Sequence, residues 1–221
     1  VARRKQVAVI GLGRFGASMC YTLMREDCEV LAIDSDEKRV SELSTLATHV
    51  VRADSTDERA LAELDIKSFD HVVIAIGEDV QASILTALMV KQLGVGQVWA
   101  KARSDYHAKV LELIGVDRVV HPEREMGERI AHLIASESLV DFLELPGGHR
   151  LIEIRTPKSL AGRSLRELDI RARFGCIVAG FQRGEQTHIA PDPNAVLEAG
   201  DLLFVIGSTE DLERLQREAD R

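Results

Sequence analysis

Short apolar runs alternate with segments of helical period over the first 120 residues. Runs at 6–10, 29–33, 49–51, 71–75, 97–100 and 118–120 predict six strands. Between them apolar residues recur every three or four positions. Phe15, Met19 and Leu23 predict a helix over 15–25, and Val40 and Leu43 one over 36–44. Further helices are predicted over 57–64, capped near Thr56, over 79–93, ending near Gly94, and over 106–114, ending at Gly115. Strands separated by helices imply a parallel sheet covered on both faces. Right-handed crossovers then give a Rossmann-type, doubly wound α/β order, with a ligand crevice at the carboxyl ends of the strands.

The pattern changes after Pro122. A longer helix is predicted over 122–138, with a stripe of Met126, Ile130, Leu133 and Ile134. Strands are predicted at 139–145 and 150–155 around the turn Pro146-Gly147-Gly148, and at 176–182 and 202–206. Short helices are predicted over 164–170 and 209–218. The reading is two domains, 1–138 and 139–221, the second a small α+β unit. Pattern alone leaves the apolar stretches 84–89 and 126–134 open between core and subunit interface.

Composition narrows the class. Of 221 residues, 45% are hydrophobic and 29% charged, the balance of an ordinary globular chain. The net charge of -8 argues against broad nucleic-acid binding, which needs a basic surface. Cys20, Cys28 and Cys176 form no metal-binding pattern and read as reduced thiols. No apolar run approaches the ~20 residues of a membrane span. The basic start Val1-Ala2-Arg3-Arg4-Lys5 runs into a segment soon broken by glycines, unlike a signal peptide. A soluble protein is expected, with any membrane role exercised through a partner.

Gly11-Leu12-Gly13-Arg14-Phe15-Gly16 matches GxGxxG between a predicted strand and a predicted helix. The first glycine allows the tight turn, the second lets backbone approach phosphates, and the third lets helix and strand pack. Amide groups and the helix dipole there favour an anion. Asp34 ends the second strand about 20 residues on, where a carboxylate accepts ribose hydroxyls and repels a 2′-phosphate. Together these predict an adenine-nucleotide site. Arg14, between the second and third glycines, can make bidentate bonds to a terminal phosphate, which a dinucleotide lacks at that point. It therefore favours a nucleoside di- or triphosphate, ATP or ADP. The alternative is a solvent-exposed arginine at a helix start.

The other candidates carry two readings each. Asp54, in Ala53-Asp54-Ser55-Thr56, can reach an adenine edge or cap the next helix. Ala75-Ile76-Gly77 can line the ribose and phosphate side, or Gly77 can serve a turn. Lys101 and Arg103 can add positive charge to the crevice or be salt-bridged.

These motifs, Val9-Ile10-Gly11-Leu12-Gly13-Arg14-Phe15-Gly16, Ala32-Ile33-Asp34 and Ala75-Ile76-Gly77, with His121-Pro122-Glu123, closely resemble the cytosolic regulatory subunits of Ktr-type potassium transporters. Those are RCK-domain proteins, regulators of potassium conductance. The resemblance covers nearly the whole chain and implies a small α+β RCK C-terminal domain that binds ligand. It implies a homo-oligomer of dimers forming an octameric ring, docked on a membrane-embedded potassium-translocating subunit. The protein would be cytoplasmic and peripheral to the inner face of the membrane. ATP would favour the active state and ADP the inactive one. Arg14 would read the γ-phosphate, Asp34 would bind ribose, and Glu123 would join a divalent-cation site for Mg2+ or Ca2+. Several members bind cyclic di-AMP between two C-terminal domains. The associated segment resembles Leu168-Asp169-Ile170-Arg171 and Cys176-Ile177-Val178, with Arg171 as the phosphate partner. Some members carry Asn where Ile177 stands.

Two enzymatic readings compete. The loop and Asp34 permit NAD or NADH, for redox sensing or a small oxidoreductase. A dehydrogenase also needs a proton-transfer residue near the nicotinamide, and His107, His121, His132, His149 and His188 are scattered. An ATPase is disfavoured because the loop is not GxxxxGK[ST]. The expectation is a nucleotide-gated regulator, not an enzyme.

Overall fold

The computed structural model describes residues 3–219, so Val1 and Ala2 of the basic start lie outside the described residues. The chain forms two compact units, 1–124 and 125–221. The first runs β1 (Gln6–Ile10), α1 (Arg14–Arg25), β2 (Glu29–Asp34), α2 (Glu37–Leu43), β3 (His49–Arg52), α3 (Glu58–Glu63), β4 (His71–Ile74), α4 (Val80–Gln92), β5 (Val98–Lys101), α5 (Asp105–Ile114) and β6 (Arg118–Val120). The six strands are parallel in the order β3-β2-β1-β4-β5-β6, the doubly wound order expected.

Burial on both faces explains why these strands read as unbroken apolar runs. Ala8, Ile10, Leu31 and Ile33 pack in one layer, and Val7, Val9, Val30 and Ala32 in the other. Helix starts are set by short polar side chains. Asp36, Asp57, Asp79 and Ser104 each accept a backbone N–H of the helix they precede. The cap expected near Thr56 is therefore Asp57, which accepts from Arg59 N at 2.9 Å. Thr56 is held instead by Asp54, whose Oδ1 accepts both its N–H and its hydroxyl.

Helix α6 (Pro122–Ala135) crosses the division and ends three residues before its expected limit. The second unit then runs β7 (Leu139–Leu145), β8 (His149–Arg155), α7 (Leu165–Leu168), α8 (Ile170–Phe174), β9 (Ile177–Arg183), β10 (Gln186–Ile189), β11 (Leu202–Ser208) and α9 (Thr209–Ala219). Its sheet is antiparallel, in the order β10-β9-β11-β8-β7. Ile152, Ile154, Leu203 and Val205 build its core against Leu168, Ile170, Phe174 and Leu215.

Two local features differ from expectation. β10 is Gln-Thr-His-Ile with all four residues exposed, so no apolar alternation announces it. The helix expected over 164–170 breaks at Asp169, which adopts a left-handed φ of 41°, and restarts as α8. Among the described residues, no helix is long and apolar enough to cross a membrane.

The two ambiguous apolar stretches separate. In α4, Ala87 and Val90 are buried with Ser83 and Thr86. In α6 no residue is buried, and Met126, Ile130 and Ile134 are exposed. On α5, Tyr106, Val110 and Leu113 form a second exposed stripe.

Candidate nucleotide site

The glycine loop leaves β1 and enters α1 at the carboxyl end of the sheet. Gly11 has φ +96°, and a Cβ there would meet Ile76 N at 2.9 Å. A Cβ on Gly16 would stand 1.9 Å from Gly11 O, so only glycine closes the turn. Gly13 differs. A Cβ on it would meet nothing within 4 Å, and it caps α1 with no side-chain hydrogen bond. The start of α1 is thus open at Gly13, and its first turn offers backbone donors and no acidic residue.

The loop is tied to β2. Gly11 N donates to Ile33 O at 2.8 Å, and Leu12 N donates to Asp34 Oδ2 at 2.7 Å. Asp34 Oδ1 accepts from Asp36 N at 2.9 Å, which fixes the carboxylate plane. Asp34 is 7% exposed. A carboxylate offers about four acceptor positions, so capacity remains for a ribose hydroxyl.

Charge gathers at the ends of β1, β4 and β5. Arg14 is exposed at the first residue of α1. Lys101 Nζ lies 3.2 Å from where a Gly77 Cβ would stand and 5.8 Å from the Phe15 ring centroid. It pairs with Glu123 Oε1 in the first turn of α6. The Lys101 hydrogen bond holds the Glu123 carboxyl below its ordinary range, and the nearby charge of Arg14 acts in the same direction. Arg14, Phe15, Gly77, Lys101 and Glu123 are therefore one cluster.

The remaining candidates are placed as follows. Ala75 is buried and donates to Ile10 O, so it and Ile76 wall the loop through backbone. Asp54 lies one residue beyond Ala53, whose N–H bonds Asp34 O. Its pairing with Thr56 lowers its pKa. Ser55 is turned inward: its hydroxyl lies 2.8 Å from Thr86 Oγ1 and its carbonyl accepts from Thr86 Oγ1 at 3.2 Å, so its side chain does not face a ligand. Arg103 donates to Glu78 O at 3.1 Å and is a loop staple. Glu123 finds no company for a metal: among the described residues no group of three His, Cys, Asp or Glu could hold one.

The sequence matches the TrkA-N domain over residues 7–122 and the TrkA-C domain over residues 150–220. It is 49% identical to the Ktr system potassium uptake protein C of Bacillus subtilis (strain 168), covering 97% of each chain. It is 38% identical to the Ktr system potassium uptake protein A of the same organism, covering 98% of this chain and 97% of that one. The chain belongs to the Ktr potassium-uptake proteins with TrkA-N and TrkA-C domains. Its fold is that of the GsuK RCK domain crystal structure, at a TM-score of 0.71 and 20% identity. That match covers 99% of this chain and 48% of that chain, so the Ktr-type chain spans about half the length of that relative.

Two arginines escaped the sequence reading. Arg39 on α2 reaches Asp34 Oδ2 with Nη1 at 3.5 Å and Asp36 Oδ2 with Nε at 3.8 Å. Arg52 is the register partner of Asp34 on β3, and it donates to Ser35 O and Glu37 Oε2. The available signal was position: Arg39 lies five residues past Asp34, just inside the helix that follows β2.

In the second unit of this Ktr protein, Arg171 on α8 and Ile177 at the start of β9 are both exposed. Two of the scattered histidines lie within electrostatic reach. His107 is buried, its Nδ1 accepts from Arg103 N at 3.2 Å, and burial, then His121, push its pKa down. It is therefore a neutral packing residue at the floor of the loop after β5.

Proposed function

We propose that this Ktr protein is a nucleotide-sensing regulatory subunit that binds ATP or ADP at the glycine loop and carries out no chemistry of its own. The observation that carries the reading is the open face at Gly13 beside the exposed Arg14, with Lys101 across the crevice. Arg14 reads the terminal phosphate, Asp34 holds the ribose, and Asp54 stands at the base edge. The backbone of Ser55, Ala75, Ile76 and Gly77 lines the remainder. ATP and ADP then differ by one phosphate at Arg14, and only such differential contact can shift a conformational equilibrium. Glu123 faces the same phosphates through Lys101. Divalent cations, Mg2+ or Ca2+, would join it there with ligands from the nucleotide or a second copy.

The exposed stripes Tyr106, Val110 and Leu113 on α5 and Met126, Ile130 and Ile134 on α6 support assembly into dimers and an octameric ring. The ring would gate a membrane-embedded potassium-translocating subunit from the cytoplasmic face. The functional domains are taken as 1–138 and 139–221, with α6, which crosses from one compact unit into the next, counted with the nucleotide domain. Arg171 would serve a cyclic di-AMP site between two C-terminal domains.

A second reading, NAD or NADH sensing, is supported by Asp34, which suits any adenosine ribose with a free 2′-hydroxyl. Calorimetric titration with ATP, ADP, NAD and NADH, with and without magnesium, separates the two. Binding of ATP and ADP, with the ATP preference lost in Arg14→Ala, supports the first. Binding of NAD or NADH alone, indifferent to Arg14, overturns it.

A further inference from the structure

The adenosine end of the site carries a guanidinium that the functional reading does not use. Arg39 is 42% exposed and touches the buried Asp34 carboxylate at 3.5 Å and Asp36 at 3.8 Å. Both contacts are long, and a guanidinium has five donors. Most of its donors are therefore free to face a ligand. Arg52 is the neighbouring alternative, but its Nε and Nη1 are spent on Ser35 O at 3.2 Å and Glu37 Oε2 at 3.1 Å. It braces the turn after β2.

In nucleotide folds of this type a carboxylate at the end of the second strand binds the ribose 2′-hydroxyl, and a nearby arginine accommodates a 2′-phosphate. Here both groups are present and touch. We infer that Arg39 tunes specificity at the ribose: paired with Asp34 it moderates the rejection of a 2′-phosphate, and with Asp34 neutralised it becomes the partner of one. The charge argument is direct. A 2′-phosphate dianion beside the ribose is repelled by the Asp34 anion, and Arg39, 42% exposed, offsets only part of that repulsion because solvent screens it. Removing one negative charge and keeping the cation reverses the balance. The inference rests on the nucleotide reading above.

The test is calorimetric titration of the full chain with ADP and with adenosine 2′,5′-bisphosphate. Asp34→Asn keeps an acceptor for Leu12 N and removes the charge. It is expected to raise bisphosphate affinity relative to ADP by about tenfold or more, the scale of one charge-assisted bidentate contact. Asp34→Asn combined with Arg39→Ala is expected to lose that gain, whereas Asp34→Asn with Arg52→Ala keeps it. Arg39→Ala alone leaves the Leu12–Asp34 bond in place and gives an independent reading. The wild-type preference for ADP over the bisphosphate should widen, because the site becomes more anionic. A gain that survives Arg39→Ala, or that disappears with Arg52→Ala, overturns the assignment. So does a preference that narrows or stays unchanged in Arg39→Ala alone. If wild-type protein binds neither compound, nor ATP, the nucleotide reading itself fails. If it binds ADP and Arg39 has no effect, only this inference fails.

Discussion

The backbone N–H of Leu12 donates to Asp34 Oδ2 across 2.7 Å, so the glycine loop and the carboxylate that ends β2 are one mechanical unit. The bond spans 22 positions of sequence and is buried. Asp34 therefore shapes the loop before any ligand arrives. Asp34→Ala would leave Leu12 N and Asp36 N without their acceptor. A buried donor left unpaired costs about 1–3 kcal/mol. Urea unfolding should show a loss of that order, with Asp34→Asn losing less because its amide oxygen can still accept. Equal stability of Asp34→Ala and wild type would mean the bond contributes nothing.

Two of the loop glycines, Gly13 and Gly16, should separate sharply. Gly16→Ala drives a Cβ to 1.9 Å from Gly11 O, so the loop cannot close and both stability and nucleotide binding should fall. Gly13→Ala meets open space and should leave the melting temperature near wild type. Its methyl group would instead occupy the phosphate approach, and ADP affinity should drop about tenfold or more. A Gly13→Ala protein that melts normally and binds ADP normally would move the phosphates elsewhere.

Arg14 is exposed, so Arg14→Ala should change stability by no more than about 0.5 kcal/mol. Removing a charge-assisted contact to a terminal phosphate should cost about 1.5–3 kcal/mol of ATP binding, with less effect on ADP. Competition between the two nucleotides for one site reads the ratio directly. An unchanged ratio would take the sensing role away from Arg14.

The doubly wound sheet was legible because strands buried on both faces leave unbroken apolar runs, and Val7, Val9, Ala8 and Ile10 all lie inside. The glycine loop was legible because its close contacts admit no other residue at Gly11 and Gly16. β10 was not, since an exposed edge strand places no apolar residue in the core. Arg39 and Arg52 were not, because their meaning lies in register across β2 and β3 and in the reach of long side chains. The inward turn of Ser55 depends on Thr86, 31 positions away, which local pattern does not reveal. In the second unit, the left-handed Asp169 split what the apolar spacing presented as one helix.

The second unit has its own electrostatic pin, and it gives a pH-dependent prediction. Asp201 is 3% exposed and accepts from Arg183 through both oxygens, at 2.9 and 2.6 Å, and from Glu198 N at 2.8 Å. The Arg183 guanidinium holds its carboxyl below the ordinary range. A carboxyl whose folded pKa is depressed stabilises the fold above its unfolded value, near 3.9. That contribution fades as pH falls below this value, through the lower folded one. The Arg183 side chain is 38% exposed, so solvent screening discounts the pair below a fully buried one. Asp201→Asn should then destabilise by roughly 2 kcal/mol at pH 7. The gap to wild type should shrink as pH drops below about 4, where the wild-type carboxyl begins to protonate. Denaturant midpoints of the two proteins at pH 7, 4 and 2.5 measure this. A gap that stays constant across that range would show that Asp201 contributes by shape and hydrogen bonding, not by its charge.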